Sequence, residues 1–244
     1  MAQEPIHDAC CRGDVAGLRR ELDAGVSPDL RGLTLVPHGV GVPSGSFTDA
    51  TPLYMSVCWG HIETTRLLLD AGADVEAVIC PDGQRGYTAI SIAAYMGNPN
   101  ILAALIAAGA STSLKMETTH GRRTPVENIC GPLYVENISG RQGSCIGMLL
   151  RAGAPLPRFD DVAMPPAGIQ YCRTLWWIDE DDHRDHAVYR KYVDAVAAAG
   201  GYVRYEHAQR KRIAAIFVPK FPGPRLPMDV ASHIVAFWTH AGYH

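Results

Sequence analysis

Glycines recur along the N-terminal part of this chain in pairs with one fixed separation. The three pairs, each twelve residues apart, are Gly13 and Gly25, Gly60 and Gly72, and Gly97 and Gly109. Glycine ends helices easily because it adopts the left-handed backbone conformation without steric cost. Each pair therefore predicts two successive short helices. Helices of this length are not stable alone, so the units must stack on one another.

The unit from Thr51 to Ala77 is the most regular, with the sequence TPLYMSVCWGHIETTRLLLDAGADVEA. The Thr51 hydroxyl is a suitable N-cap for the first helix, and Pro52 suits the first helical position. Leu53 and Val57 share one face of that helix. The apolar stripe of the second helix is formed by Ile62, Leu68 and Leu69.

This unit resembles the ankyrin repeat, whose hallmarks are TPLHxA, then GH, then LLLxxGADVNA. The matching segments here are TPLY, GHIE and LLLDAGADVEA. The unit at Thr88 to Thr112 matches well, and the first and fourth units match loosely. The resemblance covers roughly the first 155 residues. It implies an all-α ankyrin solenoid of helix-turn-helix repeats with loop or hairpin fingers.

The spacing of the motifs predicts two domains. We place an ankyrin repeat domain at residues 1–157 and a C-terminal helical extension at residues 158–244. The repeats cover about 4–31, 50–86, 87–122 and 123–157, with a long insertion at 32–49. Gly, Pro and Ser dominate the insertion, so we interpret it as an elongated loop in place of a hairpin finger.

Apolar periodicity predicts three helices in the extension, over about Asp181–Ala199, Val203–Val218 and Asp229–His240. Gly200 and Gly201 would stop the first. We expect these helices to cap the open apolar end of the repeat stack.

Composition narrows the function. The net charge of −3 disfavours nucleic acid as the main partner, and no apolar run is long enough to span a membrane. The first residues lack a secretory signal pattern. The seven cysteines show no disulfide-like spacing, which favours a reducing compartment, the cytoplasm or nucleus. We expect a monomer.

The sequence gives only weak signals for catalytic or metal-binding motifs. The acidic segment Asp179–Asp182, followed by His183, Asp185 and His186, is the one group that resembles a metal or acid–base site. Acidic residues at a helix N-terminus are more simply explained by its dipole. No CxxC, HExxH, GxGxxG or GxxxxGK[ST] motif occurs. We therefore expect no enzyme activity, no cofactor and no bound metal, and we interpret the repeat cysteines as buried thiols.

A basic run lies near the C-terminal part of the extension. Arg204, Arg210, Lys211 and Arg212 occur beside Tyr202 and Tyr205, a composition that suits phosphate contacts. Interleaved charges on a helix more often form a solvated face, and we prefer that interpretation.

The resemblance also implies where a partner would bind. Ankyrin repeats contact partners through their finger tips and through the exposed end of each first helix, on the concave face. The candidate partner-binding residues are Arg12, Trp59, Arg85, Tyr87, Tyr95, Met96, Arg122 and Arg123. An aromatic, Met and Arg composition is typical of interface hot spots. The alternative is that Trp59 or Tyr95 packs beneath the long insertion.

We therefore predict a non-catalytic interaction protein that binds another protein. An alternative is a substrate-recognition adaptor of a ubiquitin ligase, with ligase components as partners. It rests on LPMDVASHIVAFW at Leu226–Trp238, which resembles an F-box opening, and on PRLPMDV, which resembles the Pro-rich part of a SOCS box. Both resemblances are short and rest on analogy.

Overall fold

The computed structural model describes residues 5–36, 45–80, 86–118, 121–129, 140–156 and 183–217. The chain divides into two compact units, Met1–His186 and Ala187–His244. The helices are α1 (Pro5–Arg12), α2 (Val15–Asp23), α3 (Pro52–Cys58), α4 (Ile62–Asp70), α5 (Ala89–Tyr95), α6 (Pro99–Ala107), α7 (Pro125–Ile129), α8 (Gly140–Arg151), α9 (His183–Ala198) and α10 (Tyr202–Phe217). The strands are β1 (Gly32–Val36), β2 (Gly45–Ala50), β3 (Met116–Thr118) and β4 (Gly121–Arg123).

The glycine pairs end the helices as the sequence predicts. The glycines between the two helices of each repeat have positive φ, 69° at Gly13, 76° at Gly60 and 65° at Gly97. The N-caps are confirmed as well. The Thr51 hydroxyl accepts a hydrogen bond from the Tyr54 N–H at 3.3 Å, and Pro52 begins α3.

The repeats stack in register. The first helices α1, α3, α5 and α7 contact one another in sequence, and so do the second helices α2, α4, α6 and α8. One inner position shows why the stack is stable. It is occupied in the four repeats by Ile6, Leu53, Ile90 and Val126, which are 0 or 1% exposed. Burying one such side chain contributes about 1.5–3 kcal/mol. The fold is therefore the all-α repeat solenoid that the sequence indicates.

The first finger differs from the sequence expectation. We expected an elongated loop at 32–49, but β1 and β2 form an antiparallel hairpin in which Thr34 pairs with Phe47 and Val36 with Gly45. The β-branched and apolar run that ends at Val36 is a good strand sequence, and its strand preference outweighs the Gly and Pro residues of the insertion. Residues 37–44 lie outside the described part of the chain.

The other fingers are shorter and contact their neighbours. In the second finger, Ile79 and Tyr87 exchange backbone hydrogen bonds of 2.8 and 2.9 Å. In the third finger, β3 pairs with β4. The Gly86 N–H then donates to the Glu117 carbonyl at 3.0 Å, which joins the second finger to the third. Arg31 donates to Asp49 at 2.5 Å and to the Val78 carbonyl at 3.4 Å, so the base of the first finger is tied to the second.

The fourth repeat is the least regular. Its first helix α7 has five residues, whereas its second helix α8 has twelve. A reciprocal cap begins α7. The Thr124 N–H donates to the Glu127 carboxylate at 2.8 Å, and the Glu127 N–H donates to the Thr124 hydroxyl at 3.2 Å. Residues 130–139, which connect α7 to α8, lie outside the described residues.

Two long helices follow the repeats. The helices predicted over about 181–199 and 203–218 are confirmed as α9 and α10. Gly200 and Gly201 separate them, with φ of 76° and 117°. The rings of Tyr192 and Tyr205 meet edge to face, with centroids 5.5 Å apart, so α10 folds back on α9. The connector 158–182 and the predicted helix Asp229–His240 lie outside the described residues, and capping of the stack stays a prediction.

Candidate partner-binding surface

The ends of three neighbouring helices form the candidate surface. Arg12, Trp59 and Met96 each occupy the position before the inter-helix glycine, and Tyr95 precedes Met96. Because α1 packs on α3 and α3 on α5, stacking places these positions in one row. We call these four residues the helix-end row.

Trp59 is half-buried at the end of α3. Its backbone N–H donates to the Met55 carbonyl at 3.1 Å, which fixes the position of the residue. Its indole Nε1 is buried and has no hydrogen-bond acceptor in the structure of the described residues. A buried donor without an acceptor costs about 1–3 kcal/mol. Whether the insertion tip at 37–44 covers this ring falls outside the described residues.

Tyr95 and Met96 are half-buried in the same way at the end of α5. Each therefore keeps part of its apolar surface in contact with solvent. The helix-end row thus presents one Trp, one Tyr and one Met side chain in partly fixed positions.

Arg12 and Arg122 are both exposed and both paired. Arg12 pairs with Asp8 one turn earlier in α1, and Arg122 pairs with Glu117 across β3 and β4 at 3.2 Å. Exposed ion pairs of this kind contribute no more than about 1 kcal/mol. Both guanidinium groups can therefore exchange these pairs for contacts with a partner.

Arg123 lies on the other face of its strand. It is 8% exposed, whereas its neighbour Arg122 is exposed, because successive side chains of a strand point to opposite faces. Burial lowers the pKa of the Arg123 guanidinium, and Glu127 beside it partly offsets that effect. We predicted Arg123 as a surface contact. That placement is wrong, and Arg123 instead belongs to the packing of the third finger.

Tyr87 and Arg85 are the remaining predicted partner-binding residues of the fingers. Tyr87 is half-buried in the bridge with Ile79, at the base of the second finger. Arg85 lies outside the described residues, so its place at the finger tip stays a prediction.

Two histidines that sequence reasoning did not select hold the first two repeats together. The His61 ring is hydrogen-bonded through Nε2 to the Cys11 carbonyl at 3.1 Å, and the His7 ring to the Ala50 carbonyl at 2.9 Å. His61 follows Gly60 directly, and the GH motif was the signal for it. The acceptor Cys11 directly precedes Arg12 of the helix-end row.

Three of the described cysteines are buried thiols. Burial raises the pKa of Cys10, Cys58 and Cys145 from about 9 to about 12, so these thiols stay protonated at neutral pH. Cys11 is half-buried and Cys80 exposed, and all five of these described cysteines are outside disulfide bonds. The expected buried thiols are thus confirmed at three positions, while Cys130 lies outside the described residues.

The described residues were also compared with the requirements of metal sites and of membrane-spanning helices. Within them, no cluster of three or more His, Cys, Asp or Glu side chains is arranged to hold a metal ion. The acidic segment Asp179–Asp182 lies outside them. None of the helices in the described ranges has the length and apolarity needed to cross a membrane.

Comparisons with known proteins agree with the fold. A family model for ankyrin repeats, in three copies, matches residues 6–116. No curated protein matches the chain. The crystal structure of the human ASB11 ankyrin repeat domain is similar, with 20% sequence identity and a TM-score of 0.44. The match covers 63% of this chain and 56% of that one, so this chain spans little more than half the length of that domain. The stacked helix pairs, the positive-φ glycines between them and the matched family model show that the chain contains ankyrin repeats over residues 6–116.

Proposed function

We propose that this protein is a non-catalytic interaction module that binds another protein on the concave face of its repeats. The observation that carries the proposal is the helix-end row of Arg12, Trp59, Tyr95 and Met96, which stacking brings together from three repeats. Trp, Tyr, Met and Arg are the residues in which protein interfaces are enriched.

The partial burial of the row supports this function. Trp59 and Tyr95 are each held at a helix end by packing and by backbone hydrogen bonds. Immobilising such a side chain on binding costs little further conformational entropy, so more of the contact energy becomes affinity. Arg12 adds a charged edge beside these rings.

A protein partner fits this surface better than a small molecule. A cavity of about 430 Å³ lies elsewhere, on the outer face of α2, where Arg19 and Arg20 line it. It is shallow and open. A small ligand needs an enclosing pocket that covers most of its surface, whereas a row of separate side chains suits a larger complementary surface.

Substitution of the row tests the proposal. We expect Trp59→Ala and Tyr95→Ala each to weaken partner capture by about 2 kcal/mol or more, which is roughly thirtyfold in Kd. The measurement is quantitative mass spectrometry of proteins captured from cell extract by the wild-type and variant chains, followed by titration of the purified partner. Arg66→Ala, at an exposed site on α4, is the matched control.

Two outcomes would contradict the proposal. If both variants fold with unchanged melting temperature and still capture the same proteins, the partner uses another face. If both variants unfold readily, the two rings belong to the core and the row is not a binding surface.

We also propose a monomer that works in the cytoplasm or nucleus. The described cysteines are outside disulfide bonds, which supports a reducing compartment. Light scattering of the purified chain and imaging of the tagged protein test these two points.

The ubiquitin-ligase adaptor stays a prediction. Its sequence basis, Leu226–Trp238, lies outside the described residues. Recovery of cullin or elongin subunits in the same capture experiment would favour it, and their absence would favour the simpler interaction module.

A further inference from the structure

The exposed side of α10 carries only positive charge within residues 202–212. The sequence suggested interleaved charges, but the structure separates them. Glu206 is half-buried and pairs with Arg210 at 2.9 Å, with side-chain exposures of 17% and 30%. The exposed ionisable side chains of that segment are Arg204, His207, Lys211 and Arg212.

These residues form one continuous feature. Arg204, His207 and Lys211 follow the three- and four-residue spacing that places side chains on one face of a helix, and Arg212 lies beside Lys211. At a rise of about 1.5 Å per residue the set extends over roughly 10 Å. We call it the basic stripe.

The stripe has no acidic counterpart on its own helix within residues 202–212. The one acidic residue of that segment, Glu206, is already paired with Arg210. The stripe is also not a by-product of general basicity, because the chain has a net charge of −3.

We propose that the basic stripe docks an acidic peptide segment of a partner protein. Two or three carboxylates spread over about 10 Å would neutralise the charges of Arg204, Lys211 and Arg212. Val203, 72% exposed beside Arg204, adds an apolar contact for the aliphatic carbons of that segment.

A polypeptide is favoured over the two other anionic partners. Nucleic acid is less favoured because the stripe offers few phosphate contacts. A helix that lies on a membrane needs a broad apolar face beside its cations. Within residues 202–212, Val203 is the large apolar side chain that is exposed, and one such side chain does not make a broad apolar face in that segment.

This inference is independent of the helix-end row. The stripe lies on α10 in the second compact unit, and its test uses a defined peptide. Failure of one proposal therefore leaves the other standing.

The test is binding of fluorescein-labelled decaglutamate to the full-length chain at low ionic strength, measured by fluorescence anisotropy. The stripe variant carries Arg204→Glu, Lys211→Glu and Arg212→Glu. The matched control carries Arg19→Glu, Arg20→Glu and Arg66→Glu, which change the net charge equally at exposed sites of α2 and α4.

We expect the wild type to bind, the stripe variant to lose at least about tenfold in affinity, and the control to change by less than about threefold. Circular dichroism of every variant shows whether it is folded. If the Glu variant does not fold, a variant with Gln at the same three stripe positions replaces it in the binding measurement.

The proposal is overturned if decaglutamate does not bind the wild type, or if the control loses as much affinity as the stripe variant. It is also overturned if single-stranded DNA or phosphatidylserine vesicles bind the wild type more tightly and displace the peptide, since the stripe would then recognise phosphates.

Discussion

Glu76, near the end of the second repeat, accepts a hydrogen bond from the backbone N–H of Ser111 in the third repeat. Asp29 holds the corresponding position one repeat earlier and accepts the N–H of Asp74 at 2.8 Å. The donor lies two residues after the helix-ending glycine in both cases. The first two interfaces between repeats are therefore each linked by one carboxylate.

A local turn supports each end of this link. The side-chain oxygens of Ser27, Asp74 and Ser111 accept the N–H two residues later, at 3.2, 3.0 and 3.4 Å. The corresponding donor position in the fourth repeat is Pro155, which has no N–H, and the acceptor position before it is Ser113. The pattern therefore ends between the third and fourth repeats.

Removal of the carboxylates should weaken the stack. We expect Asp29→Ala and Glu76→Ala each to lower the free energy of unfolding by about 1 kcal/mol, because a backbone N–H loses its acceptor. Urea titration measures the change. Glu76→Gln retains an acceptor oxygen and should lose less. Glu63→Ala removes an exposed ion pair with Arg66 and should cost under about 0.5 kcal/mol. Equal losses in all four variants would contradict the link.

Gly13 and Gly72 should respond differently to alanine. Both have positive φ, which costs about 1–2 kcal/mol for a residue with a Cβ. At Gly13 the Cβ would also lie 2.7 Å from the His61 Nδ1, whereas the space at Gly72 is open. His61 must then move and lose its bond to the Cys11 carbonyl.

We therefore expect Gly13→Ala to lower the free energy of unfolding by about 1 kcal/mol more than Gly72→Ala. The double variant Gly13→Ala, His61→Ala should show a coupling that accounts for this excess. Additive effects would show that the ring is not the obstacle.

Trp59 allows a test of its unpaired indole N–H. Trp59→Phe removes the donor and keeps most of the ring, so the free energy of unfolding should stay the same or rise by up to about 1 kcal/mol. Trp59→Ala should lower it. Thermal and urea unfolding give the comparison. A phenylalanine variant as unstable as the alanine variant would show that the N–H has an acceptor.

The buried thiols should make the protein sensitive to alkali. Burial raises the pKa of Cys10, Cys58 and Cys145 to about 12, while the same thiols ionise near pH 9 in the unfolded chain. Between these values the unfolded state releases protons that the folded state keeps. The free energy of unfolding therefore falls as the pH rises from about 9 to about 12.

Urea midpoints at pH 8 and pH 10.5 measure this fall. Cys145→Ala should reduce the difference between the two midpoints. Cys80→Ala, which changes an exposed thiol, should leave the difference unaltered. An equal effect of both substitutions would argue against burial as the cause.

The helix pairs were predictable because their signals are local. Thr51, Pro52 and the paired glycines fix where each helix begins and ends, whatever surrounds it. The hairpin of β1 and β2 was missed because its strands are separated by a long Gly- and Pro-rich tip, and strand pairing depends on partners distant in sequence.

The candidate surface was predictable in position and less so in orientation. Motif alignment placed Trp59 and Met96 in one row, since equivalent residues of stacked repeats lie side by side. Burial of Arg123 depends on which face of β4 meets the neighbouring finger. The half-buried position of Glu206 similarly depends on how α10 packs. The burial of these two residues cannot be read from the composition of the sequence.

The end of the carboxylate pattern at Pro155 gives the stack a direction. Repeat proteins fold by nucleation in one unit and propagation through the interfaces, so the weakest interface decides which end opens first. The fourth repeat has the five-residue α7, and at Pro155 it lacks the carboxylate link that joins the earlier repeats. Its amides should exchange with deuterium faster than those of α3 and α5, so the stack would open from its C-terminal end while the helix-end row stays assembled.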